Sequence, residues 1–181
     1  MAELIDVLDE NGVKTGRIAT RDEVHRLGLW HRCIAVAILN DKNEILLQRR
    51  AHSKDKNPDM WDISVAGHIS AGQDSLSAAA REINEEVSIN LGRYIDISDF
   101  RYMFCFRREQ IFNEDYIDRQ FFDFFILRRP DLRLENIKLQ ESEVQDIKFC
   151  TMSKLRELIE RHELVERDAE YAALEDYIFK I

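Results

Sequence analysis

Gly67-His68-Ile69-Ser70-Ala71-Gly72-Gln73, then Asp74-Ser75-Leu76-Ser77-Ala78-Ala79-Ala80, then Arg81-Glu82-Ile83-Asn84-Glu85-Glu86-Val87-Ser88-Ile89, is the stretch whose reading decides the fold. Leu76, Ala79, Ala80, Ile83 and Val87 recur at helical spacing, so Ser75 to Val87 is predicted to form an amphipathic helix. Glu82, Glu85 and Glu86 stand at i, i+3 and i+4 and, at about 100° per residue, share one face turned away from that apolar stripe. Three carboxylates converging on one small volume raise each other's pKa unless a cation compensates them. Ligands that are all oxygen suit Mg²⁺ or Mn²⁺ rather than zinc. A glutamate-rich helix face is also what a solvated surface looks like, so the residues before the helix must decide between the two.

Upstream, Trp61 to Ala66 reads as a short strand ending at Gly67, and the polar segment Arg49 to Met60, with Pro58, as a surface loop. Trp30 to Leu39, the turn Asp41-Lys42-Asn43-Glu44 and Ile45 to Gln48 form a hairpin pattern. Nearer the start, Ile5, Val7 and Leu8 precede Asp9-Glu10-Asn11-Gly12, whose Asn-Gly is a strong turn signal, and Val13 to Ile18 can return as a strand. Thr20 and Glu23 make a capping-box pair for a short helix that stops near Gly28, so residues 1–28 are expected to be a hairpin plus a helix. Downstream, Phe100 to Phe106, Phe121 to Leu127 and Val144 to Phe149 read as strands, and Met152 to Glu160 and Ala169 to Lys180 as helices. With no repeat and no linker, the expectation is one α/β (α+β) domain over 1–181.

The 181 residues, 45% of them hydrophobic, suffice for one buried core. With 26 Lys+Arg against 35 Asp+Glu the formal charge is -9, which argues against nucleic-acid polymers or an anionic membrane as partner. Cys33, Cys105 and Cys150 are widely spaced and make no Cys-x-x-Cys, so neither a disulfide scaffold nor a zinc knuckle is expected. No basic-then-apolar leader opens the chain and no apolar run approaches the roughly 18 residues of a membrane span, so a cytoplasmic location is the expectation.

Gly67, five residues, Gln73, seven residues and Arg81-Glu82-Ile83-Asn84-Glu85-Glu86-Val87-Ser88-Ile89 together resemble the Nudix box, which occupies 67–89 here. The departures are Gln73, where the family has glutamate, and Ser88, where it has a glycine closing the helix; Asn90 could shift that cap. The resemblance implies a Nudix fold, a mixed β-sheet between helices, here with the N-terminal hairpin as an extension. It implies metal ligation by Glu82, Glu85 and Glu86, with the Gly67 backbone, Gln73 and His68 as further candidates, and catalytic roles for Glu85, Glu86 and Arg81. The implied reaction is hydrolysis of a diphosphate linked to another moiety, by water activated at Mg²⁺ or Mn²⁺, on a small-molecule substrate. A homodimer is compatible with this reading. A noncatalytic nucleotide-sensing or partner-binding module of the same fold is the alternative, against which the retained glutamates argue.

Arg50-Ala51-His52-Ser53-Lys54, Pro58, Trp61 and Gly67-His68 also resemble a segment of isopentenyl diphosphate isomerase and its hydrolase-like relatives. By that resemblance His25, His31 and His68 stand where the isomerase has metal-binding histidines. Ala66 stands where it has a catalytic cysteine, and Gln120 near its catalytic glutamate, so isomerisation is disfavoured. Arg49, Arg50, Lys54 and His68 are the candidate substrate-binding residues, with His52 and Lys56 in the same basic cluster. Trp30, Trp61, Phe104 and Tyr116 are the aromatic candidates for holding the other moiety.

Overall fold

The computed structural model of the chain describes residues 2–54, 56–86 and 97–180. In chain order the elements are β1 (Leu4–Leu8), β2 (Lys14–Thr20), α1 (Arg21–Arg26), β3 (Trp30–Leu39), β4 (Ile45–Arg50), β5 (Trp61–Asp62) and β6 (Val65–His68). They continue with α2 (Ser75–Glu86), β7 (Phe100–Asn113), β8 (Tyr116–Arg128), β9 (Val144–Cys150), α3 (Met152–Glu160) and α4 (Asp168–Phe179).

The strand β3 organises the sheet. Along all ten of its residues it pairs with β8 in parallel, Trp30 opposite Arg119 through Leu39 opposite Arg128. Its other edge is shared by three antiparallel partners, with β1 at Trp30, β6 over Cys33 to Val36 and β4 at Leu39. Beyond β8 lies β7, and beyond β4 lie β9 on one side and β5 on the other, giving a mixed sheet.

Alternation along β3 builds a core on each face. Ile34, Val36 and Ile38 pack with Ala78, Ala79 and Ile83 of α2 on one face. Cys33, Ala35, Ala37 and Leu39 pack with Met152, Leu155 and Leu158 of α3 and Tyr171 and Leu174 of α4 on the other. Each fully buried aliphatic side chain of this kind contributes about 1.5–3 kcal/mol. The helix α2 starts where the Asp74 carboxylate accepts from the Ser77 N–H at 2.9 Å, a side-chain cap.

The predicted strand Trp61 to Ala66 is two strands, because the chain crosses from the edge of β4 to the edge of β3 at Ile63 and Ser64. Ser64 bridges the gap between them: its hydroxyl accepts from the Ile38 N–H at 2.8 Å and donates to the Leu46 carbonyl at 2.5 Å. The β7–β8 arm also runs past its predicted limits, since Arg107 to Asn113 is mostly polar and buries little that periodicity could detect. The N-terminal hairpin and α1 agree with their reading, with the Thr20 hydroxyl accepting from the Glu23 N–H and Gly28 at φ +58° just past the helix. Val87, Ser88 and Asn90 lie outside the described residues.

A buried ion network fastens the approach to α4 to the sheet. The Arg167 guanidinium donates to both Asp62 oxygens, Nε at 2.5 Å and Nη2 at 3.1 Å, and Nη1 reaches Glu170 at 3.2 Å. Arg50 adds a second cation 3.6 Å from Asp62.

Candidate active site and metal centre

A cavity of about 1020 Å³ opens between α1, the 50–57 loop, α2 and the β7–β8 arm. Glu82, Glu85 and Glu86 all line it. They do so unequally: Glu82 and Glu86 are each only 8% exposed, whereas the Glu85 side chain is 51% exposed. The expected convergence of three carboxylates is therefore two buried groups and a third at the rim.

The position of the Glu82 carboxylate depends on Gly67. A Cβ there would stand 2.3 Å from the Glu82 carboxyl carbon, so only glycine lets the carboxylate press against β6. Arg81 grips both ends of this arrangement, with Nη2 2.9 Å from Glu82 and Nη1 2.9 Å from Glu85, while Nη2 also donates to the His68 carbonyl at 3.0 Å. Gln73 is not part of the cavity wall but meets Arg81, its Oε1 accepting from Nε at 3.4 Å. Among the described residues Glu86 has no basic partner; it accepts from the Gln48 amide at 3.0 Å.

These surroundings raise both buried carboxyls. Burial pushes Glu82 up to about 7, with Arg81 opposing and Glu85 adding to it. Burial and then repulsion from Glu82 push Glu86 up to about 8, opposed by Gln48. Two buried carboxylates with one arginine between them form an acid-rich oxygen site short of positive charge, which fits a hard divalent cation.

The three histidines, far apart in sequence, are brought together. Ligating atoms of His25, His31 and His68 all lie within 4.8 Å of one another. His31 Nδ1 faces the Leu29 carbonyl at 3.0 Å, which fixes the proton there and leaves Nε2 as a lone pair, 3.3 Å from the Gln120 amide. Burial lowers His31 to about 4 and His68 well below its ordinary value, so both are neutral imidazoles near pH 7. His68 Nε2 is a buried nitrogen with no hydrogen-bond partner among the described residues, and His25 Nδ1 stands 2.6 Å from Asp118. Two neutral imidazoles, one with a free buried nitrogen, clustered with His25 beside a carboxylate fit a cation of the Mn²⁺, Fe²⁺ or Zn²⁺ kind.

Of the basic cluster, Arg50, Lys54 and Lys56 line the cavity, paired with Asp62, Glu143 and Asp118 in that order. Arg49 is a correction to the sequence reading: it is absent from the wall, and its Nε donates to the Asp59 carbonyl. His52, exposed, pairs with Asp59. Tyr116 lines the cavity and stacks on His25 at 4.3 Å, while Trp30, Trp61 and Phe104 lie outside the wall. Lys56 sits 3.0 Å from the Tyr116 ring centre and 3.4 Å from that of Phe112.

Asp118, Gln48, Glu143 and Arg108 are cavity or site residues that sequence reading missed. The one available signal was alternation on β8, which puts Asp118 and Gln120 on the same face.

The NUDIX domain matches residues 29–174 of this chain. Nudix hydrolase 3 of Arabidopsis thaliana is 37% identical over 164 residues, 89% of this chain, which spans about a fifth (21%) of that protein. The uncharacterized Nudix hydrolase lmo0368 of Listeria monocytogenes is 37% identical over 153 residues, 84% of this chain and 82% of that protein. Isopentenyl-diphosphate Delta-isomerase 2 of Photorhabdus laumondii is 28% identical over 159 residues, 88% of this chain and 83% of that protein. Among solved structures, DR0079 from Deinococcus radiodurans has the same fold, with a TM-score of 0.70 at 20% identity over 94% of this chain and 97% of that one. The chain belongs to the Nudix family and is a Nudix hydrolase, a class that generally requires divalent metals and acts on small molecules. Among the described residues no helix is long and apolar enough to cross a membrane.

Proposed function

We propose that this chain hydrolyses a diphosphate linked to another moiety, and that Glu82 and Glu86, with Glu85 at the rim, hold Mg²⁺ or Mn²⁺ for that reaction. The observation that carries the reading is the buried Glu82–Glu86 pair, raised by burial to about 7 and about 8 and facing a cavity that Arg50 and Lys54 also line. When bound, the cation supplies Lewis acidity toward phosphate oxygens and toward water. Arg81 orients Glu82 and Glu85, and the Gly67 backbone leaves room for Glu82. Arg50 and Lys54 bind phosphate oxygens by exchanging their carboxylate partners for the ligand. The attacking water's proton passes to whichever of Glu85 and Glu86 the cation leaves free. A phosphate-release screen over diphosphate classes with each metal tests this. Release from at least one class with Mg²⁺ or Mn²⁺ is expected; none from any class would remove the proposal.

Gln73 then acts through Arg81. Gln73→Glu is expected to lower the Mg²⁺ concentration for half-maximal turnover severalfold, because a charge added beside Arg81 draws the cation more strongly. Superimposable metal titrations of the two proteins would instead make this position neutral.

The histidine cluster favours a second cation site in the same cavity, with His25, His31, His68 and Asp118 as its donors. Its resemblance to the isomerase does not extend to proton transfer at carbon. Ala66 has no acid-base group, and Gln120 is an amide directed at His31. Isopentenyl diphosphate in deuterated solvent should show no allylic exchange by NMR, and dimethylallyl product would overturn this assignment.

A further inference from the structure

Six cationic side chains that line the cavity are partly or fully buried: Arg50, Lys54, Lys56, Arg81, Arg108 and Arg167. Five of them stand within 4.0 Å of a carboxylate. Among the described residues Arg108 has no carboxylate so close; its Nη2 donates to the Gln110 amide oxygen at 3.0 Å, and its guanidinium lies 5.8 Å from the Phe122 ring centre. Among the described residues the acids that favour its charged form already pair with other cations, Glu170 and Asp62 with Arg167 and Asp118 with Lys56, while Glu166 and Asp168 line a smaller neighbouring cavity with Arg108 without an ion pair to it. Burial and then the nearby Arg167 disfavour its charged form, opposed in part by Glu170, Asp62 and Asp118 at longer range. A half-buried guanidinium with no carboxylate in contact among the described residues is costly, and the cost is relieved by an anion that arrives with the ligand.

Its place in the sheet says which part of the ligand that is. Arg108 on β7 stands opposite Gln120 on β8, which stands opposite His31 on β3, and β6, carrying Gly67, is the next strand beyond. Three strand spacings of about 4.8 Å put Arg108 roughly 14 Å across the sheet from the strand against which Glu82 packs. That separation, taken at the backbone, favours the moiety beyond the diphosphate over the diphosphate itself as the part that Arg108 meets.

We propose that Arg108 recognises an acidic group, phosphate or carboxylate, on the far moiety of the substrate, so that the preferred substrates are diphosphates whose second arm is itself anionic and not a hydrocarbon. This rests on the diphosphatase reading above. Arg108 is a specificity-determining residue here, and its planar fork suits bidentate pairing with either acid.

Matched probes that differ by one acid test it: coenzyme A against its 3′-dephospho form, NADPH against NADH, and UDP-glucuronate against UDP-glucose. The first two pairs report phosphate recognition and the third carboxylate recognition. In at least one pair the acid-bearing member should have a kcat/KM about 10- to 100-fold higher, the range for a charge-assisted pair. In Arg108→Leu that ratio should fall to about 1, and in Arg108→Lys to an intermediate value, with far-UV circular dichroism confirming that both variants fold. Equal kcat/KM within every pair, or a preference that persists in Arg108→Leu, overturns the proposal and leaves the hydrolase reading standing. Calorimetric titration of the same pairs without metal separates the two claims. Tighter binding of the acid-bearing member, lost in Arg108→Leu and unaccompanied by any turnover, supports Arg108 and removes hydrolysis. Absence of both binding and turnover removes both.

Discussion

Replacing Glu86 with glutamine is expected to lower kcat by about 10³-fold while raising the melting temperature of the metal-free protein at pH 8. The loss follows from deleting a cation ligand whose contribution to the transition state is several kcal/mol. The gain follows from proton linkage. In the fold the Glu86 carboxyl titrates at about 8, pushed up from 4.5 by burial and then by Glu82. Between those two values the folded chain holds a proton that the unfolded chain has released, so stability falls as pH rises through that window. Glutamine keeps the shape and carries no charge to desolvate. A gain of about 2 kcal/mol at pH 8, or roughly 4–8 °C, and little at pH 4.5 is the expectation for a chain of this size. Thermal melts of both proteins in chelator at the two pH values check it. Unchanged turnover, or a variant that melts lower at pH 8, would contradict the assignment of Glu86 as an uncompensated buried ligand.

Arg167→Met should have the largest effect on stability, a loss of about 3–5 kcal/mol, because it leaves Asp62 and Glu170, each 1% exposed, without their principal cation. Burial alone would raise the Asp62 carboxyl, but Arg167 holds it below its ordinary value of 3.8. The pair therefore stabilises the fold above pH 4 and ceases to do so as pH falls through the folded pKa. Denaturant unfolding at pH 7 measures the loss directly. Combining Arg167→Met with Asp62→Leu should recover part of it, since Asp62 is then no longer a buried charge without its cation, although Glu170 still is. A single variant as stable as the native chain would show that the network contributes nothing net.

The parts of the fold written in short-range pattern were legible. The strand β3 and helix α3 lie where their periodicity places them, and Thr20 caps α1 as its spacing from Glu23 suggests. The split of Trp61 to Ala66 was not legible, because it depends on Ser64 finding Ile38 and Leu46, contacts distant in sequence. The outer half of the β7–β8 arm escaped for a different reason: its inward-facing residues, such as Arg108 and Gln110, face a polar cavity and lack the apolar alternation that marks a core strand.

The site divides in the same way. Glu82, Glu85, Glu86 and Arg81 share one helical turn and could be read together, but their unequal burial could not, since it is set by how α2 lies against Gly67 and Gln48. His25, His31 and His68 come from α1, β3 and β6, and only the parallel and antiparallel pairings of β3 bring them within reach of one another. Asp118 carries no local motif at all; its importance arises from lying 2.6 Å from His25 and 3.0 Å from Lys56.

The central claim is metal-dependent attack of water on phosphorus at the α2 glutamates. Hydrolysis of a cleaved diphosphate in ¹⁸O-labelled water, followed by ³¹P NMR, tests it most directly when run with Mg²⁺, with Mn²⁺ and with chelator, on the native chain and on Glu86→Gln. The account requires one ¹⁸O atom in one phosphate-bearing product per turnover, with either metal, and almost none with chelator or with the variant. Turnover that persists in chelator, label appearing on the carbon-bearing alcohol instead of on phosphorus, or equal labelling by Glu86→Gln would contradict it.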